Sequence, residues 1–156
     1  KDFRRGFKLQ EEYGLISSVA VRWDEMEKLA DLAISFPNIK IVLDHAGNPD
    51  FRTKEYFENW KNGMGKISKI ENIICKISGL GMGDHNWTID SISPYVDTCM
   101  ELFGISRIIF ATNWPVDSLY SSYKKVIDSY KELTKKLSKD EREAFFYKNA
   151  ESIYEI

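Results

Sequence analysis

The 156-residue sequence predicts an α/β fold built from parallel βα units. Three observations carry that reading. Short apolar, β-branched runs alternate with longer segments of helical periodicity, in the order αβαβαβαβαα. The central runs, such as Ile41-Val42-Leu43 and Ile73-Ile74-Cys75, are apolar almost throughout, as in strands covered on both faces. Each run ends in turn formers or polar residues, so all the strand ends would share one rim.

The first element is an amphipathic helix over Phe3–Tyr13, with Phe3, Phe7 and Leu9 among charged residues and Gly14 closing it. Leu15–Val21 reads as a strand. Asp24 and Glu27 have capping-box spacing, which predicts a helix starting there and running through Met26, Leu29, Ala30, Ala33 and Ile34. Pro37-Asn38 stops it before the strand Ile39–Leu43.

Tyr56, Phe57, Trp60, Met64 and Ile67 mark the next helix, followed by the strand Ile73–Ser78. Ser93 as N-cap with Pro94 at the first helical position predicts a helix ending at Gly104. The last strand is Arg107–Ala111. A long helix through Tyr123 to Leu137 follows, then one capped by Ser138 and Glu141 and carrying Phe145, Phe146, Ile153 and Tyr154. Four such strands fit either a small open sheet or half of an eight-stranded barrel, and periodicity does not separate the two. Residues 1–156 read as a single domain, with no low-complexity tract or Pro-rich linker. The chain opens at Lys1 without Met, which suggests a domain incomplete at its N-terminus.

Bulk properties exclude several function classes. The formal net charge is −2 with mixed signs, so neither nucleic acid nor a membrane surface is an expected partner. No apolar run approaches the roughly 20 residues needed to cross a bilayer. Cys75 and Cys99 fall in apolar runs and read as reduced core thiols, which fits a cytoplasmic compartment.

Candidate chemistry gathers at the strand ends. In parallel α/β folds ligands sit beyond the carboxyl ends of the strands. Here those ends are Asp44-His45, Ser78-Gly79 and Thr112-Asn113-Trp114-Pro115. His45 is one of two histidines; a neutral imidazole can move a proton or ligate a metal. Asp44 is expected to fix local structure, holding His45 or the turn amides. His85, beside Asp84, falls in the Gly-rich loop after the third strand and reads as a surface or lid residue. The sequence has no Cys-x-x-Cys, His-Glu-x-x-His or Walker-type motif.

Taken together, Phe3-Arg4-Arg5-Gly6-Phe7, Val42–Pro49, Lys76–Met82, Pro94-Tyr95, Phe103–Arg107, Phe110–Asp117 and Asn149-Ala150 resemble the amidohydrolase-related family of metal-dependent hydrolases. That family includes sugar lactonases, other lactone hydrolases and decarboxylases. The resemblance implies the second half of a (β/α)8 TIM barrel, with the four strands as barrel strands five to eight. The half that would supply a His-x-His pair is absent here.

By the same resemblance, His45 would be a catalytic residue and a candidate ligand for a divalent metal, zinc among them. Asn113 would be the second catalytic residue, Trp114 and Ser78 would bind substrate, and Asp44 and His85 would support them. Asn113 stands where the family often has an Asp serving as general base. A carboxamide cannot accept a proton at neutral pH, which leaves His45 as the nearest acceptor. The implied activity is opening of a lactone or related cyclic ester, with a sugar lactone or similar carbonyl compound as substrate. The alternatives are a non-oxidative decarboxylase on the same barrel, or a non-catalytic chain completed by a partner half-barrel or a second copy.

Overall fold

Four short strands, β1 (Ser17–Val19), β2 (Ile41–Leu43), β3 (Ile73–Ile77) and β4 (Ile108–Phe110), form one sheet in a computed structural model that describes residues 2–156. Every pairing is parallel, and the spatial order is β1-β2-β3-β4. Open doubly wound sheets reverse their strand order at a switch point. This sheet never reverses, so it is a run of consecutive barrel staves, and among the described residues β1 and β4 each keep one edge without a strand partner.

The helices are α1 (Asp2–Glu12), α2 (Met26–Ser35), α3 (Lys54–Ile67), α4 (Ile89–Phe103), α5 (Tyr123–Leu133), α6 (Lys139–Glu143) and α7 (Asn149–Tyr154). A π-helical turn over Ala144–Lys148 joins the last two. Side chains alternate across each strand. Ile41, Leu43, Ile73, Cys75, Ile77 and Ile108 pack with Met26, Leu29, Trp60, Met64, Val96 and Phe103 of the helices in the main core. Val42, Ile74 and Ile109 form a smaller cluster on the opposite face, where Ile153 and Ala150 of α7, with Ile16, cover them.

The sheet is therefore apolar on its inner face only low down. One step further along the strands that face turns polar, at Asp44 and Lys76. Extending the register in which Leu43 pairs with Cys75 places these two side by side on neighbouring strands.

Two helix starts differ from the sequence reading. Asp24 lies in a 3-10 turn (Trp23–Glu25), and α2 begins at Met26 with no side-chain cap. The α4 cap is Thr88, whose hydroxyl accepts from the Ser91 amide while the Ser91 hydroxyl accepts from the Thr88 amide. That reciprocal box satisfies two otherwise orphaned donors, which Ser93 and Pro94 together could not do. Pro94 consequently falls inside the helix. The α5 helix stops at Leu133, short of Leu137, whereas the Ser138–Glu141 box forms as its spacing predicts.

Polar side chains tie the strand starts together. Arg107 donates to the carbonyls of Ser68, Ile70 and Ile73, and Asn72 to those of Ala33, Phe36 and Ile39. Six backbone acceptors at one end of the sheet are thus satisfied by two residues, which keeps the staves in register. The opposite end is left to carry loops.

Candidate active site

After Leu43 the backbone leaves the strand abruptly, because His45, Ala46 and Asn48 all adopt left-handed conformations (φ 54°, 50° and 46°). Such backbone is unfavourable for residues with a Cβ and persists only where surroundings enforce it. Here Trp60 Nε1 donates to the Ala46 carbonyl at 2.7 Å and Tyr56 Oη to the Asn48 carbonyl at 3.0 Å. Trp60 is fully buried, so the bend is anchored to the main core. Arg52 joins this loop to the next one, donating at 2.5 Å to both the Pro49 and the Leu80 carbonyls while its guanidinium lies on the Tyr95 ring.

The bend turns His45 toward the third strand end. Its Nδ1 lies 3.0 Å from Ser78 Oγ, and Ser78 is 2% exposed. With Nδ1–H donating to Ser78, the Nε2 lone pair is left for a proton or a ligand. Burial lowers the His45 pKa from its ordinary 6.5; Asp44 and Asp117 oppose that shift and the Lys76 ammonium adds to it. Burial thus favours the neutral ring. Unfolded chain takes up this proton near 6.5 while the folded protein resists it, so stability from this group declines as pH falls below that value. In chelator-treated protein the His45 ring signals, followed by NMR, should titrate with a midpoint below 6.5.

Asn113 comes to the same spot from the fourth strand end, also in a left-handed conformation (φ 55°). Gly79 shows how tightly the two converge. A Cβ built on it would lie 2.8 Å from His45 Nδ1, 2.9 Å from Asn113 Nδ2 and 2.7 Å from Met82 Cε. The next residue, Trp114, precedes a cis peptide to Pro115, is 42% exposed and meets Tyr123 edge-on. It offers a ring face at the rim.

Asp44, His45, Ser78 and Asn113 thus all lie at the rim, but Asp44 does not face His45 or the turn amides. It accepts from Ser18 Oγ at 2.9 Å and has Lys76 Nζ 2.5 Å away. Strand alternation sends it to the inner wall, as it sends Lys76. His85 is exposed and stacks on Tyr120, with ring centroids 4.2 Å apart.

Two site residues stand in stretches that carry the resemblance but were given no role by the sequence reading. Lys76 had a signal in hindsight, a lone charge inside an apolar strand. Asp117 had only its place four residues after Asn113. It is 4% exposed and accepts from Asn113 Nδ2 at 2.9 Å. Burial raises its pKa, against the Asn113 hydrogen bond and the nearby His45.

A bound divalent ion needs several such ligands converging. Among the described residues no group of three or more His, Cys, Asp or Glu side chains is placed to hold one. His45, with the Lys76 charge close by, does not make a metal site from this chain's residues alone. Nor, among the described residues, is any helix long and apolar enough to cross a membrane.

A neutral imidazole, a fixed carboxamide and an exposed indole at the carboxyl ends of parallel staves define an α/β-barrel rim site. Comparison with known proteins identifies the lineage: the amidohydrolase family profile matches residues 1–156, and the chain belongs to that family. An uncharacterized protein, y4mH, of Sinorhizobium fredii is 39% identical over 155 residues, covering 99% of this chain and 52% of its own length. An L-fucono-1,5-lactonase of Burkholderia ambifaria is 34% identical over 93 residues, 58% of this chain and 31% of the lactonase. A crystal structure of an amidohydrolase from Burkholderia multivorans with bound zinc superposes with a TM-score of 0.93 at 24% identity, over 99% of this chain and 57% of that one. The chain thus spans about half the length, or less, of the relatives it matches, and the four staves correspond to half of a TIM barrel.

Proposed function

We propose that the complete protein is a hydrolase that opens a sugar lactone at the barrel rim. The observation that carries this reading is His45, held by Ser78 at 3.0 Å and kept neutral by burial at the carboxyl end of a parallel strand. A water oxygen bonds to the lactone carbonyl carbon and gives a proton to His45. The ring carbon–oxygen bond then breaks, the ring oxygen leaves as a hydroxyl by taking that proton back from His45, and the product is the open-chain acid. A positioned general base of this kind contributes about 10²- to 10⁴-fold.

Asn113 cannot take the proton, but its carboxamide can orient the water or the carbonyl. The exposed Trp114 ring suits the apolar face of a sugar. Similarity to the L-fucono-1,5-lactonase supports this substrate class. We read residues 1–156 as part of one domain whose facing wall, supplied by further chain or by a partner half-barrel, completes the pocket. The opposite wall is also where further metal ligands would belong. Two free buried thiols, Cys75 and Cys99, support a reducing compartment such as the cytoplasm.

The test is L-fucono-1,5-lactone presented to the complete protein in weak buffer with a pH indicator. We expect saturable release of one acid per lactone. Carbon dioxide released from a carboxylated aromatic, with no acid from lactones, would instead favour a decarboxylase.

A further inference from the structure

Asn113 has two faces, and the fold dictates which of them meets the ligand. Its Nδ2 donates to Asp117 Oδ1 at 2.9 Å. Asp117 in turn is locked: its backbone N–H donates to the Asn113 carbonyl at 3.2 Å, its own carbonyl accepts from Tyr120 N–H at 3.1 Å, and the side chain is 4% exposed. A carboxylate accepts hydrogen bonds and, ionised, donates none. It therefore selects one amide orientation, with nitrogen toward Asp117 and Oδ1 turned away from it.

We propose that Asp117 is a positioning residue that presents the Asn113 carbonyl oxygen to the substrate side of the rim, as a fixed acceptor for the attacking water. This inference rests on the hydrolase reading above and adds a carboxylate that reaches the chemistry only through a neighbouring amide. The pair divides what a single Asp would do. Asn113 Oδ1 holds a hydrogen of the water, Asp117 supplies the rigidity, and the proton goes to His45. A Cβ added at Gly79 would lie 2.9 Å from the same Asn113 nitrogen, so the amide has little free space on that side. Orientation of this kind matters because a displacement of about 1 Å can reduce turnover about 100-fold.

The test compares Asp117→Ala and Asp117→Asn in the complete protein. In Asp117→Ala the amide loses its acceptor, so kcat should fall about 100-fold while KM stays within about twofold. In Asp117→Asn the new Oδ1 still accepts from Asn113, and turnover should recover to within about tenfold of the original. Side-chain amide relaxation of Asn113, measured by NMR on the same proteins, should show a rigid group in the original and in Asp117→Asn and a mobile one in Asp117→Ala.

Unchanged kcat in Asp117→Ala overturns the inference. Equal loss in both variants, with a changed pH profile, overturns it in favour of Asp117 as the proton acceptor itself. If the original protein does not turn over L-fucono-1,5-lactone, the hydrolase reading fails separately. The relaxation measurement then decides alone: an Asn113 amide equally rigid in Asp117→Ala and in the original overturns the positioning role.

Discussion

Replacing Gly79 by Ala in the complete protein should lower turnover about 100-fold while leaving the sheet intact. The residue sits at φ +61°, and an added methyl would lie 2.8 Å from His45 Nδ1, 2.9 Å from Asn113 Nδ2 and 2.7 Å from Met82 Cε. Each distance is well inside ordinary van der Waals contact, so something must move. Met82 can swing aside. His45 cannot retreat easily, because its backbone bend is held through Trp60 and Tyr56, and Asn113 is held through Asp117.

Movement of either by about 1 Å implies a loss of about 100-fold in turnover. Overpacking of this sort destabilises by about 1–3 kcal/mol. Denaturant midpoints and kcat on the same preparation separate the two effects. A folded Gly79→Ala protein with undiminished turnover would show that His45 and Asn113 do not act together.

Much of the fold was legible because strands and helices here follow their periods. All four strands lie within the apolar runs that mark them, although β1, β2 and β4 are only three residues long. Periodicity could not choose between an open sheet and a barrel segment. That choice depends on which strands are neighbours, a long-range property carried by the order β1-β2-β3-β4. Pro94 misled because a proline is a strong local signal, whereas the Thr88–Ser91 box that overrides it relies on two weaker residues acting reciprocally.

The site was legible in part for a different reason. His45, Ser78 and Asn113 stand at strand ends, and the parallel arrangement alone gathers those ends at one rim. Asp44 was expected to hold His45 or the turn amides. Strand alternation instead sends it to the inner wall, where Ser18 and Lys76 claim it, and neither pairing is marked in the sequence. Asp117 closes the Phe110–Asp117 stretch that carries the resemblance, but the sequence assigned it no role. Its meeting with Asn113 depends on a left-handed turn at Asn113 followed by a 3-10 turn over Val116–Leu119, and neither turn leaves a distinctive residue pattern.

His45→Ala in the complete protein, assayed by acid release from L-fucono-1,5-lactone, tests the central claim most directly. The imidazole is hydrogen-bonded on one nitrogen and able to take a proton on the other, and burial lowers its pKa from the ordinary 6.5. Removing it should lower kcat/KM by about 10²- to 10⁴-fold, the usual contribution of a positioned base. The circular dichroism spectrum should stay unchanged, because the left-handed backbone at this position is held by its neighbours. Turnover equal to that of the original protein would remove His45 from the mechanism and contradict the account.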